Sequence, residues 1–310
     1  MEQIERYRGS LLGLAAGDAL GTTLEFMSPG SFKPISDIVG GGPFGLEAGQ
    51  WTDDTSMALC LAESLLDCRG FDPVDQLRRY VRWYREGYMS STGRCFDIGN
   101  TTRAALQQFE RTGEPYPSST NPRTAGNGSI MRLASVPLFY ARNPDLAIQM
   151  AADSSRTTHG AADAVDACRY LAALLVGAVG GVAKVDLLSD HFDLLTSLQA
   201  AAPLSPGIAA VASGSFKRRN PPEIKGTGHV VASLEAALWA LHHGGSFREG
   251  ALLAVNLGDD ADTTGAVYGQ LAGALYGEQG IPGQWRASLH DREFIESRAD
   301  RLHAEAMALG

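Results

Sequence analysis

Positive charge, cysteine and long apolar runs are all scarce in this sequence, and each shortage excludes something. Lys and Arg number 26 against 35 Asp and Glu, for a net charge of −9. Binding nucleic acid regardless of sequence needs a basic footprint to displace counterions, so no nucleic-acid partner is expected. The four cysteines (Cys60, Cys68, Cys95, Cys168) form no C-x-x-C pair, and three sit in apolar or helical-looking stretches. Buried free thiols in a reducing compartment are the plain reading. The longest apolar run, Tyr170 to Ala183, is well short of the roughly 20 residues that span a bilayer. The N-terminal apolar stretch is short, glycine-studded and followed by Asp18, which suits a helix of the mature fold rather than a signal peptide. A cytoplasmic protein is expected. Alternating β-branched runs are nearly absent too, which leaves an all-α fold as the economical reading.

What is present is a chain of 310 residues, 44% hydrophobic and 20% charged, in the range of soluble globular proteins. The length allows one large domain or two ordinary ones, and a single domain over 1–310 is favoured. Apolar residues recur at helical spacing over 4–20, 54–67, 73–86, 100–111, 145–153, 161–179, 230–243, 247–256 and 263–276. Between them lie Gly/Pro/Ser stretches at 28–51 and 112–129 and a less regular region at 180–229, which are long enough to suggest function. The last contains a basic island, Lys217 to Lys225, whose plain reading is a solvated loop and whose sharper one is phosphate contact. Two glycine ladders stand out: Gly9, Gly13, Gly17 and Gly21, and Gly265, Gly269, Gly273 and Gly277. On a helix this spacing bares one face for close backbone approach, against the other ladder or against other helices.

Two acidic clusters open helices. Thr52, Asp53 and Asp54 precede one apolar-periodic segment, and Asp259, Asp260, Asp262 and Thr263 precede another. Capping explains one carboxylate per helix, each worth about 0.3 to 1 kcal/mol near the positive helix end. It does not explain three within four residues. Crowded carboxylates resist ionisation unless a cation lies between them, and hard oxygen ligands suit Mg²⁺, Mn²⁺ or Ca²⁺. On one continuous helix Asp260 and Asp262 would diverge by about 200°, so they converge only if Asp260 lies in the turn at Gly258 and Asp262 in the first helical turn.

Further segments have the composition of a polar site. Asp97 precedes a Gly-Asn-Thr-Thr helix start that includes Asn100, and Gly126, Asn127, Gly128 and Ser129 could aim backbone N–H groups at an anion. Glu25 ends the first helical segment, and His159 precedes another. Taken singly, each is an ordinary helix start or surface residue.

In the order GDALGTTLEF, WTDDTSMAL, FDIGNTT, GNGSIMR, THG and NLGDDADTTGAVYGQLAGA, these segments resemble the ADP-ribosylglycohydrolase family over nearly the whole chain, especially its bacterial dinitrogenase-reductase-activating branch. The resemblance implies a compact all-α orthogonal helix bundle of that type, with a metal site at converging helix N-termini. It also implies two Mg²⁺ or Mn²⁺ ions and hydrolysis of an ADP-ribosyl bond. Carried over by position, Thr52, Asp53 and Asp54 would hold metal from one side and Asp260, Asp262 and Thr263 from the other. Asp259 falls where many relatives have glycine and is left out. Asp97, Glu25 and Asp260 are the candidate catalytic residues, with Asp97 or Glu25 handling protons. Asp97, Asn100, Gly126 to Ser129 and His159 would contact ribose and diphosphate. The bacterial branch implies an arginine-linked ADP-ribosylated protein as substrate and ADP-ribose as product. Serine-linked or small O-acetylated substrates are the alternative, with leaving-group choice in 28–51 and 180–229.

Two rival readings compete with this one. All-α terpenoid synthases also hold diphosphate through Mg²⁺, but their DDxxD pattern fails here because position 57 is methionine. A non-catalytic ADP-ribose binder would be expected to have lost ligands, and every expected ligand is present.

Overall fold

Each apolar-periodic segment folds as an α-helix in the computed structural model, which describes residues 1–309. Sixteen α-helices and no strand occur among the described residues. The first eight are α1 (Gln3–Gly21), α2 (Asp53–Cys68), α3 (Pro73–Glu86), α4 (Asn100–Thr112), α5 (Ser135–Phe139), α6 (Pro144–Arg156), α7 (Ala162–Val179) and α8 (Lys184–Leu187). The rest are α9 (Asp193–Ala201), α10 (Pro206–Ala212), α11 (Ser215–Arg218), α12 (Val230–His243), α13 (Phe247–Val255), α14 (Ala261–Tyr276), α15 (Gly283–Ser288) and α16 (Arg292–Leu309). No helix among the described residues is long and apolar enough to cross a membrane.

The two glycine ladders pack against each other, antiparallel and in register. A methyl added at Gly9, Gly13 or Gly17 would lie 2.0 to 2.2 Å from the carbonyl oxygen of Gly273, Gly269 or Gly265 respectively. At the same end as the acidic clusters, a methyl at Gly21 would meet the Ala261 carbonyl oxygen at 2.3 Å. Backbone therefore touches backbone from Gly9 to Gly21 of α1 and from Ala261 to Gly273 of α14. Buried polar groups pin the seam: Ser10 Oγ donates to Gln270 O at 2.9 Å, and Gln270 Nε2 donates to Ile130 O at 2.9 Å. Around this pair, α2, α7 and α12 contribute mostly buried faces to one contiguous apolar core.

Three expectations need correction. The region 180–229 is not a long loop; it carries α8 to α11, whose Leu187, Leu195, Ile208 and Phe216 are buried. These helices leave little trace in the sequence because each has only four to nine residues, too few to display a 3.6-residue period. The eighteen-residue α16 was also missed: its buried stripe is Ile295, Ala299, Leu302 and Ala306, and two alanines give a weak apolar signal. Among the cysteines, Cys60 and Cys168 are buried and all four are free, but Cys68 is exposed at the last residue of α2.

Candidate active site

The registry of α1 and α14 brings helix ends and acidic residues to one place. Asp260 is the N-cap of α14, with Asp262 and Thr263 in its first turn; Thr52 is the N-cap of α2, followed by Asp53 and Asp54. Neither cap residue satisfies its own helix through its side chain. Asp18, fully buried on α1, does this for α2: it accepts from Thr52 N and Oγ1 at 2.8 and 2.9 Å, and from Thr55 N and Oγ1 at 3.0 and 2.6 Å. Glu25 does it for α14, accepting from Ala261 N at 3.0 Å.

Carboxylate oxygens of Asp18, Asp54 and Asp262 lie within 4.8 Å of one another, as do those of Glu25, Asp97 and Asp262. Thr52 Oγ1 is also 3.3 Å from both Asp54 Oδ2 and Asp262 Oδ2. A hydroxyl has one proton, and its shortest contact assigns that proton to Asp18. The lone pairs of Thr52 are thus left facing two carboxylates. Asp54 Oδ1 is buried with no hydrogen-bond partner at all. An unpaired buried carboxylate oxygen is expensive, and this donor set of carboxylates and threonine hydroxyls matches the needs of hard divalent cations.

Titration behaviour points the same way. Burial first, and then neighbouring negative charge, pushes Asp97, Asp260 and Asp262 up to about 7 each. The same causes raise Asp53 and Asp54 well above the carboxylate range, and raise Glu25 strongly, with Asp262 as its main charged neighbour. A cluster in which deprotonation is this costly is one a cation would stabilise.

Above the cluster opens a cleft of about 380 Å³. Asp53, Asp260 and Thr263 line its floor, while the buried Thr52, Asp54 and Asp262 are not exposed to it. Glu25 and Asp97 line it nearby, and Asp97 takes a left-handed backbone, φ +54°. Farther along, Gly126, Asn127 and Gly128 form one wall, tied by Asn127 N donating to Gly228 O at 3.1 Å and Asn127 Nδ2 donating to Asp260 Oδ2 at 3.0 Å. A methyl at Gly128 would stand 2.8 Å from His159 Cε1, so glycine is what allows the histidine to close on this wall. His159 is fully buried and held neutral: burial first, and then Arg132, lowers it to about 3. Asn100, Thr101 and Thr102 of α4 face the cleft, and Gly99, as a side-chain-free cap, leaves the first-turn N–H groups available. No lysine or arginine lines the cleft.

Among the residues singled out from sequence, Ser129 is buried and does not line the cleft, and Asp259 stands apart from the cluster with φ +56°. That left-handed backbone is one that favours glycine. The basic island is also elsewhere: Arg219 pairs with Glu235 at 3.1 Å, and Lys225 lines a separate pocket. Sequence reasoning gave no role to Asp18, Thr158, Arg132 or Phe26. The signal available for Asp18 is a lone carboxylate in the otherwise small and apolar second half of α1.

A family model described as ADP-ribosylglycohydrolase matches residues 1–309. The chain belongs to the ADP-ribosylglycohydrolase family. The chain is 43% identical over 305 residues to "ADP-ribosylarginine hydrolase Tri1" of Pseudomonas putida, covering 98% of this chain and 80% of that protein. It is 30% identical to the "ADP-ribosyl-[dinitrogen reductase] glycohydrolase" of Rhodospirillum rubrum, covering 97% of each. A solved structure, an "ADP-ribosylglycohydrolase-related protein complex", superposes with a TM-score of 0.87 at 47% identity over 99% of both chains. This ADP-ribosylglycohydrolase is therefore an enzyme of the glycosidase type, and the acidic cluster with its adjoining glycine-walled cleft is its candidate active site.

Proposed function

We propose that the protein hydrolyses the N-glycosidic bond between ADP-ribose and an arginine side chain of a modified protein, releasing ADP-ribose. The observation that carries this reading is the convergence of two helix N-termini on buried carboxylates beside a cleft with neutral donors. Thr52, Asp53 and Asp54 on one side, and Asp260, Asp262 and Thr263 on the other, would hold two Mg²⁺ or Mn²⁺ ions. Bound there, the cations would neutralise the carboxylates and acidify a water for attack.

The chain's own groups account for the rest. The glycine wall, the α4 N-terminus and the neutral His159 would receive the diphosphate through N–H donors. Asp97 and Glu25 stand beside the cluster with raised proton affinity. Cleavage builds positive charge on the ribose carbon and needs a proton for the leaving nitrogen, which either carboxyl can supply. Asp260 anchors the wall to the cluster through Asn127. Similarity to a protein named for arginine-linked hydrolysis supports that linkage over serine-linked or O-acetylated ADP-ribose. Free cysteines suit a reducing compartment and support a cytoplasmic enzyme.

The test offers ADP-ribosyl-arginine, ADP-ribosyl-serine and O-acetyl-ADP-ribose with Mg²⁺ or Mn²⁺ and follows ADP-ribose release. Arginine-linked substrate should be turned over fastest. Turnover of only the oxygen-linked compounds would move the assignment to that class, and no product from any would leave a binder of ADP-ribose.

A further inference from the structure

Each carboxyl argued to move protons is chained to a phenylalanine. Phe26 follows Glu25, Phe96 precedes Asp97, and Phe44 stands between their rings. Phe44 meets Phe26 edge-on with centroids 6.2 Å apart at 74°, and meets Phe96 at 5.2 Å and 55°. Phe26 lines the cleft yet is 66% exposed. It also occupies the left-handed region, φ +61°, a strained conformation for a bulky residue.

Both features are imposed by the neighbouring backbone. Phe26 N donates to Asp259 O at 2.7 Å, and Asp259 N donates to Met27 O at 2.8 Å, so the segment leading into α14 clamps this turn. The result is an aromatic ring presented to solvent rather than to the core, at the end of the cleft where Glu25, Asp97 and Asp262 meet. The glycine wall and His159 occupy another part of the same cleft. If the diphosphate lies on that wall and the reacting ribose carbon over the carboxylates, the ring faces the group on the far side of the carbon.

In an arginine-linked substrate that group is a guanidinium, which is planar, delocalised and weakly hydrated. Such a cation stacks on aromatic faces. A serine oxygen or an acetyl ester carries neither the charge nor the plane. We propose that Phe26, buttressed by Phe44 and Phe96, forms the leaving-group subsite for the guanidinium and is the residue that selects arginine-linked substrate. This rests on the hydrolase reading above.

The test measures kcat and KM on ADP-ribosyl-arginine, together with ADP-ribose affinity by calorimetry, for the unsubstituted enzyme, Phe26→Ala and Phe26→Tyr. Phe26→Ala should lower kcat/KM at least tenfold, Phe26→Tyr should restore most of it, and ADP-ribose affinity should stay within twofold. Methylguanidine, as a probe of the subsite, should compete with substrate in the unsubstituted enzyme and lose that effect in Phe26→Ala. An unchanged kcat/KM in Phe26→Ala overturns the proposal. A parallel loss of ADP-ribose affinity also overturns it, by assigning the ring to the ADP-ribose moiety. An unsubstituted enzyme inactive on the arginine-linked substrate removes the functional reading and the subsite together, and that failure is recognised before any substitution is made.

Discussion

Thr158 Oγ1 lies 2.8 Å from His159 Nδ1, and the direction of that hydrogen bond is decided by Arg132. Arg132, fully buried, donates from Nη2 to Thr158 Oγ1 at 2.7 Å. An arginine has only donors, so the threonine accepts from it and passes its own proton to Nδ1. The histidine proton therefore sits on Nε2, the nitrogen beside the Gly126–Gly128 wall.

Thr158→Val breaks this relay while keeping the shape. It leaves a buried Nδ1 and a buried guanidinium short of a partner, at a cost of about 1 to 3 kcal/mol. ADP-ribose affinity should fall by about tenfold, the equivalent of about 1.4 kcal/mol, and nitrogen NMR of the His159 ring should show the Nε2-protonated tautomer losing its dominance. Unaltered ring shifts would mean that the tautomer is set elsewhere.

Metal and pH should act on the same carboxylates. Asp97, Asp260 and Asp262 are raised from 3.8 to about 7 in the folded protein. Between these values the folded chain binds more protons than the unfolded one. Stability without metal is then fullest below about 4 and is lost as pH rises through about 7. Divalent cation binds the deprotonated groups, so its stabilising effect should grow over the same window. Melting curves at pH 5 to 8, with chelator and with millimolar Mg²⁺, should diverge as pH increases; parallel curves would argue against a cation at this cluster.

Asp18→Asn should damage the site without touching a proposed metal ligand. Asp18 accepts four hydrogen bonds from Thr52 and Thr55, and an amide can accept them on only one of its two arms. Hydrogen bonds to charged groups are worth about 1.5 to 3 kcal/mol each, so a loss of about 3 kcal/mol in stability is expected. Mn²⁺ affinity by calorimetry should drop at least tenfold, because Thr52 loses its fixed orientation. Unaltered Mn²⁺ binding would separate Asp18 from the site.

Gly13→Ala and Gly17→Ala should be far more costly than an alanine in an ordinary helix. The added methyl meets a backbone carbonyl oxygen at 2.2 or 2.0 Å, which no rotamer change relieves. Overpacking of this kind costs about 3 kcal/mol or more. Gly283→Ala, with nothing within 4 Å, is the control and should melt close to the unsubstituted protein. Equal melting temperatures for all three would contradict the backbone contact.

The sequence made long helices and the acidic clusters legible because both are local signals. Helical periodicity located α3 and α12 with their observed bounds, since strong apolar stripes or clear terminators define them. The stripe of α16 was hidden because alanines carry half of it. Asp18 and Arg132 were illegible for a different reason. Their roles depend on partners 34 and 26 residues away, and nothing local to the small residues around Asp18, or to the turn that holds Arg132 ahead of α5, says where a buried charge will point. Phe26 carries no signal in the sequence because an exposed aromatic has meaning only once the cleft around it is known.

The glycine seam divides the site into two kinds of parts. Asp18, Glu25, Asp260 and Asp262 all belong to α1, α14 or the turns that leave them, so they ride on a single block whose two backbones are in direct contact. Asp53, Asp54 and Asp97 come from outside that block, on α2 and the segment before α4. That block is the fixed anvil of the enzyme: Asp18 bolts the α2 N-terminus to it through four hydrogen bonds, which leaves Asp97, on the segment before α4, as the acidic residue carried from elsewhere.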